Sequence, residues 1–389
     1  MKILFFTIDC FKGREHLMPW RTILEVARVM VEKGHKANIL NACNNQEDVI
    51  DYDWTGFDTL GSSVHVCSVI KKNSAILSKC KALQPEVLLI PFTFRDGLNP
   101  AQWIARVNCK KVGYMAGGVY DWESGIYLCK DAGLRMAKPY LLEALIPKSL
   151  FASAMHKTGV NHIIGLTDLT SEKVRQSGIQ AVKTIYPGKD SFDKIIPDDS
   201  ILRKYELDDK KWLLFSGAPA PTRGAEVLLK ALDKVKDESV RLVMLMRTDV
   251  GSVYEKFEKT LACMKHPERV TIIKERLTRE QLRAFFGTAW YGLLPFIVIP
   301  SEVPLTYFEL LSCGTPVITF SNGGTTKYLK EGLLISDRSV KGLAKVIDMS
   351  WQDAAMRNTL SDMGKRIMAS HPTWKQVGME WIQILKQNG

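Results

Sequence analysis

The stretch Pro300-Ser301-Glu302-Val303-Pro304-Leu305-Thr306-Tyr307-Phe308-Glu309-Leu310-Leu311-Ser312-Cys313-Gly314-Thr315-Pro316-Val317-Ile318 decides the fold of this chain. It reads as a loop, a helix from Pro304 to about Cys313, a glycine stop at Gly314 and a new buried strand. Proline is harmless in a first helical turn, where the N–H it lacks has no intrahelical acceptor. On such a helix Glu302, Thr306 and Glu309 share one face. The free amides of the first turn offer an anion site, and a carboxylate two turns on accepts hydrogen bonds from hydroxyl groups. An amphipathic helix with solvated glutamates has the same periodicity. Periodicity alone, however, does not put Gly-Thr-Pro-Val-Ile behind the second glutamate.

This stretch resembles the signature of the retaining glycosyltransferases of the two-Rossmann GT-B type, the group called group 1 or family 4 (GT4). That signature holds two glutamates separated by seven residues, the second followed by a small or apolar run, Gly, a variable residue and Pro-Val. Glu309 falls on the second glutamate, whereas the first falls on Ser301, with Glu302 one place late. The resemblance implies an α/β fold of two Rossmann-like, doubly wound domains facing a central cleft. It also implies a nucleoside diphosphate sugar as donor. Glu309 would bind the ribose, Ser301 or Glu302 with Thr306 would meet the donor sugar or phosphate, and the amides around Pro304 and Leu305 would face the diphosphate.

Outward from this stretch the same plan recurs in both halves. Residues 2–8 form a continuous apolar run, which reads as a strand buried on both faces. A helical spacing over 20–31, closed by Gly34, leads to a second strand over 36–40. Strands over 87–92 and 111–115, with a helix over 100–107 between them, continue a doubly wound parallel sheet. Pro187-Gly188 and the aspartates that follow mark a crossing between domains, after which strands and helices alternate again from Trp212. The boundaries read from this are 1–190 for an acceptor-binding domain, 191–372 for a nucleotide-sugar-binding domain, and 373–389 for a helix returning to the first.

Gly217-Ala218-Pro219-Ala220-Pro221-Thr222-Arg223-Gly224 follows a strand and opens a helix, so it exposes backbone amides and a forked cation to a ligand. The family carries Gly-Arg, a short spacer and Lys-Gly here. Arg223-Gly224 takes the Lys-Gly place, and Ala218 stands where the arginine usually is. Arg247 or Lys274, each following a strand, are the candidates for the second cation. In the first half the family places a histidine near the reacting sugar, where this chain has Ala116-Gly117-Gly118. Gly117 and Gly118 would then let a sugar approach the backbone. Gly13, Arg14 and Asp121 complete the acceptor-side candidates, and Arg223, Glu302 and Glu309 the catalytic ones.

A chain of 389 residues is too long for one ordinary core, and 46% hydrophobic with 24% charged residues fits a globular protein. No apolar run reaches the roughly 18 residues of a membrane helix, and the opening apolar stretch is cut short at Asp9, which points to a cytoplasmic protein. Eight cysteines without a CxxC pair, and histidines without paired spacing, give no metal site, so no metal or other cofactor is expected. The net charge of +11 favours a diphosphate ligand or an anionic membrane surface. Nucleic acid is disfavoured, because the lysine clusters lack interleaved aromatics. Residues 132–155, rich in Leu and Met and flanked by Lys130, Arg135, Lys138, Lys148 and Lys157, fit either buried core helices or a peripheral lipid contact on the inner face of a membrane. The expected activity is sugar transfer with retention to a carbohydrate or lipid-linked hydroxyl acceptor, in glycan, polysaccharide or glycolipid synthesis. Ala218 and Ala116 leave open a silent relative that binds a nucleotide sugar or a partner, and a nucleotide-sugar epimerase is the other alternative.

Overall fold

The computed structural model describes residues 1–56, 61–118, 120–246, 251–300 and 302–387, apart from the side chains of residues 251–253. Two sheets organise the chain, each built from strands whose apolar residues are buried on both faces. The first has the order β3-β4-β2-β1-β5-β6-β7-β8 and contains β1 (Lys2–Ile8), β2 (Lys36–Cys43), β3 (Tyr52–Trp54), β4 (Val64–Ile70), β5 (Val87–Phe92), β6 (Lys110–Met115), β7 (His162–Gly165) and β8 (Val182–Thr184). Only the short β3 is antiparallel to its neighbour, β4. The second sheet is parallel throughout, with order β11-β10-β9-β12-β13-β14. Its strands are β9 (Leu213–Gly217), β10 (Leu242–Met246), β11 (Val270–Ile273), β12 (Tyr291–Leu294), β13 (Val317–Phe320) and β14 (Leu333–Ser336).

In each sheet the strand order reverses beside the first strand of that domain, at β1/β5 and at β9/β12. The loops leaving the carboxyl ends of these strands therefore open a crevice where ligands bind in such folds. The helices of the first domain are α1 (Trp20–Glu32), α2 (Asn73–Leu83), α3 (Trp122–Ala132), α4 (Leu134–Leu145), α5 (Lys148–Thr158) and α6 (Asp168–Gln176). The second domain has α7 (Ser200–Lys204), α8 (Ala225–Leu232), α9 (Gly251–Ala262), α10 (Arg279–Thr288), α11 (Leu305–Ser312), α12 (Gly323–Tyr328), α13 (Val340–Trp351) and α14 (Ala354–Ser370). The last helix, α15 (Trp374–Gln387), returns to the first domain, where Val377, Trp381, Ile382 and Leu385 join the core around Phe5 and Tyr114.

The two crossings are bonded to one another. The Lys189 amide donates to the Pro372 carbonyl at 3.0 Å, and the Lys189 ammonium donates to the Met368 carbonyl. Asp190 receives both the Arg21 guanidinium and the Trp374 indole N–H at 2.9 Å. His371 is buried between the Tyr328 hydroxyl at 2.6 Å and the Pro187 carbonyl at 2.7 Å. A neutral imidazole accepts from the first and donates to the second, and burial pushes its pKa down to about 4.

Two readings of the local structure change. The stretch expected as a helix over 100–107 forms only a short turn of 3₁₀ helix at Ile104–Arg106, because it must pack Trp103 and Ile104 under the sheet rather than present a regular face. The apolar segment 132–155, expected as core helices or a lipid contact, is buried only in part. Ala137, Phe151 and Met155 are buried, whereas Leu134, Met136, Leu142, Leu145 and Leu150 face solvent.

Candidate functional site

Three loops of the second domain are bonded into one wall of the cleft. The turn Pro221–Arg223 follows β9, and its Thr222 carbonyl accepts from the Ile297 amide at 2.8 Å and the Val298 amide at 3.1 Å. Gly224, at φ +69°, sits directly against the Pro295 carbonyl, where a side chain would collide with it. The Asn322 amide group donates to the Phe296 carbonyl at 2.6 Å and ties in the loop after β13. Arg223 is held at this wall. Its guanidinium fills the space where a Gly217 side chain would begin and lies 5.3 Å from the Phe296 ring centroid.

Around the opening stretch the helix begins at Leu305 and is capped by Pro304, with Cys313 as its last cap and Gly314 at φ +78°. The amides of Leu305 and Thr306 stand at its N-terminus, as the anion-site reading requires. Glu302 is not on this helix. Val303 takes a left-handed φ of +53°, uncommon for a β-branched residue, and its amide donates to the Thr325 hydroxyl at 3.2 Å. That kink turns Glu302 away from the face it was expected to share with Thr306 and Glu309. Glu302 is instead 4% exposed at the domain boundary, where its carboxylate accepts from the Thr170 hydroxyl of α6. Thr306 and Glu309 remain on α11, both half-buried. Glu309 lies one turn before Cys313, whose thiol is pushed up to about 12 by burial, with Arg283 opposing and Glu309 reinforcing the shift. Arg247 and Ser301 lie outside the described residues. Lys274 is engaged with α9, 3.4 Å from Glu258 and over the Tyr254 ring.

On the first-domain side the two glycines do not leave backbone open to a sugar. The Gly118 amide donates to the Pro300 carbonyl at 3.2 Å, and a side chain there would strike the Ile299 carbonyl. Gly117 is buried against Thr93. Gly118 serves close approach of the two domains and Gly117 close packing within the first, roles that the sequence alone does not distinguish from approach of a ligand. Asp121 is the N-cap of α3, accepting from the Ser124 amide, and lies 3.5 Å from Arg338 across the cleft. Desolvation pushes its carboxyl up, but the Ser124 bonds and Arg338 outweigh that and leave it below its ordinary value. Gly13 and Arg14 are exposed on the loop after β1. The Gly13 amide bonds the Glu15 carboxylate, and Arg14 lies 5.1 Å from the Phe11 ring centroid.

Several residues at the cleft carry no signature in the sequence. Tyr120 donates to the Pro300 carbonyl at 2.8 Å, and Thr170 reaches Glu302. Glu143 of α4 is buried and accepts from the Phe94 amide at 3.1 Å, with Arg95 at 3.3 Å. Burial raises its carboxyl to about 7, with Arg95 and the Phe94 amide pulling the other way. Tyr120 adjoins the Asp121 candidate without belonging to a motif, whereas Thr170 and Glu143 are distant in the chain from every motif and are placed by the packing of α6 and α4.

Gly118, Tyr120, Asp121 and Ser124 line a small pocket with Ile297 to Ile299, Glu302 and Asn322 to Thr325. It is partly open to solvent, and its interior of about 20 Å³ is room for one water. Among the described residues no three His, Cys, Asp or Glu side chains gather as a metal-holding group, and no helix is long and apolar enough to cross a membrane.

Two Rossmann-like domains with parallel sheets, facing each other across this cleft, define the GT-B class of α/β fold. The sucrose-phosphate synthase of Thermosynechococcus elongatus superposes with a TM-score of 0.76 at 14% identity, over 100% of this chain and 98% of that one. Anabaena HepE in complex with UDP superposes with a TM-score of 0.71 at 14% identity, over the full length of both. Within that class, residues 198–367 match the family model of glycosyl transferases group 1. Among curated relatives, the putative glycosyltransferase YtcC of Bacillus subtilis is 26% identical over 180 residues, 42% of each chain. The chain spans about half or less of the length of the curated relatives it matches.

Proposed function

We propose that this protein is a retaining GT4-type glycosyltransferase that moves a sugar from a nucleoside diphosphate sugar to a hydroxyl acceptor. One observation carries the reading. The Arg223 turn is bonded to the loop that leads from β12 into α11, so a cation, the first helical amides and the carboxylate of Glu309 all come from the domain that the group 1 model matches. UDP in the HepE complex supports a nucleoside diphosphate as the donor's leaving group.

In this reading Arg223 and the α11 amides take up the charge of the departing diphosphate, with no metal or other cofactor required of the chain. The bond from the anomeric carbon to the diphosphate oxygen breaks, the acceptor oxygen bonds that carbon, and the acceptor's proton leaves with the diphosphate. Glu309 holds the ribose, and Thr306, beside the first amides of α11, meets the donor phosphate or sugar. The donor enters as the domains part about the crossings at 187–190 and 371–374. The acceptor is a carbohydrate or a lipid-linked glycan intermediate in polysaccharide or glycolipid synthesis, and the site of action is the cytoplasm.

Ala218 in the place of a second cation favours one competing reading, a silent relative that binds the donor without turnover. Thermal stability against a panel of nucleoside diphosphates and their sugars, for wild type and Glu309→Ala, tests the donor site. A ligand at 100 times its dissociation constant adds about 2.7 kcal/mol, and that gain shrinks in the variant. Stabilisation by no diphosphate sinks the transferase reading. Stabilisation without transfer or hydrolysis selects the silent relative.

A further inference from the structure

Exposed apolar side chains are concentrated on one hairpin of the first domain. Among the described residues, six of the twelve exposed large apolar side chains fall between Trp122 and Leu150: Trp122, Leu134, Met136, Leu142, Leu145 and Leu150. Scattered single apolar residues on a surface need no explanation, but a cluster of this kind does. The hairpin is firmly held from behind. α3 and α4 cross in contact at Gly125, where a side chain would strike Leu141, and Leu128 and Ala137 enter the core of the second domain.

The outer face of α4 has its own pattern. Leu134, Lys138, Leu142 and Leu145 follow one another at helical spacing, with Leu134 63% and Leu145 61% exposed. Arg135 and Lys138 are exposed beside them, and Lys148 begins α5. Between Gly133 and Leu150 the only carboxylate is Glu143, and it is buried under Arg95 on the opposite side of α4. The outer face of α4 therefore combines leucines with cations and carries no carboxylate of its own, the exposed Asp121 and Glu123 lying at the start of α3. A partner protein of ordinary composition would need carboxylates placed against three spaced cations, whereas an anionic bilayer supplies a continuous negative sheet with hydrocarbon beneath it.

We propose that the outer face of α4, with the start of α5, docks this protein on an anionic lipid bilayer. The leucines enter the acyl boundary while Arg135, Lys138 and Lys148 remain at the level of the headgroups. The same hairpin begins at Asp121, which lines the pocket between the domains. Docking there brings the cleft to an acceptor held in the bilayer. That consequence rests on the transferase reading, but the docking itself does not.

The test is co-sedimentation of the full chain with vesicles of neutral phosphatidylcholine and with vesicles containing anionic phosphatidylglycerol, at low and high salt. Binding is expected only with the anionic vesicles, weakened by salt, and reduced at least tenfold in Leu142→Glu/Leu145→Glu and in Arg135→Glu/Lys138→Glu. Unchanged thermal unfolding shows that the variants fold. No binding to either vesicle, or equal binding to both, overturns the proposal. So does a concentration-dependent dimer in sedimentation equilibrium that Leu142→Glu/Leu145→Glu abolishes, which assigns the face to a second copy of the chain. Nucleotide binding is measured on the same samples, so vesicle binding without any nucleotide response leaves docking standing and removes only the transferase reading.

Discussion

The Tyr120 hydroxyl of the first domain donates a 2.8 Å hydrogen bond to the Pro300 carbonyl of the second. The same carbonyl also accepts from the Gly118 amide at 3.2 Å. Two donors from one domain thus converge on the loop that precedes Glu302 and α11, so the arrangement of that loop depends on how closely the domains approach.

Replacing Tyr120 with Phe removes one of these donors and leaves the ring packed against Tyr140. The expected cost is about 0.5–1.5 kcal/mol, the usual net worth of such a bond, read as a shift of the urea unfolding midpoint at constant slope. If the bond helps hold the two domains together, turnover falls while nucleotide affinity stays near wild type. An unchanged midpoint means the contact is incidental.

Arg223 and Gly217 depend on one another, because the guanidinium occupies the space of the missing Gly217 side chain. Arg223→Met should weaken UDP binding by about 10- to 100-fold, the worth of one or two charge-assisted hydrogen bonds. Gly217→Ala should weaken it by displacing the same cation, and combining the two changes should add little. Calorimetric titration of the three variants checks this. Full additivity would mean that Gly217 acts on the ligand by some route other than Arg223.

His371 makes stability depend on pH. Its pKa lies at about 4 in the folded protein against 6.5 for an unperturbed imidazole, so below 6.5 the unfolded chain binds the extra proton. Stability from this residue is fully present above pH 6.5 and is lost as pH falls towards 4, by at most about 3 kcal/mol. Glu143 works in the other direction. Raised to about 7, it holds its proton longer when folded, and stability falls as pH rises from 4.5 to 7. The two windows overlap, so the readout is the difference between wild type and His371→Gln across pH 4 to 7. That difference should shrink with acid, and a flat difference would mean that the buried imidazole titrates normally.

Glu309→Ala isolates the ribose contact. The variant should lose about tenfold in affinity for UDP, about 1.4 kcal/mol or one hydrogen bond to a charged group. It should lose much less for a 2′,3′-dideoxy analogue, which lacks the hydroxyls. Equal losses for both ligands would place Glu309 elsewhere than at the ribose.

The sequence by itself determined the architecture and the second-domain helix. Strands such as Leu242–Met246 are buried on both faces, so their apolar runs stay visible whatever surrounds them. Pro304 and Gly314 mark the two ends of α11 by local backbone chemistry alone. What only the tertiary structure decided was which groups meet between the domains. The kink at Val303 carries Glu302 off the helix face and onto Thr170, 132 residues away in the chain, and no periodicity records a contact of that separation. Gly118 has the same character, because a missing side chain signals that something approaches closely without saying what. Here it is the Ile299 carbonyl. The outer face of α4 was also undecidable in sequence, since leucines at helical spacing look alike whether a core or solvent lies beyond them. Only the packing of α3 and α4 on the second domain settles which of them are left outside.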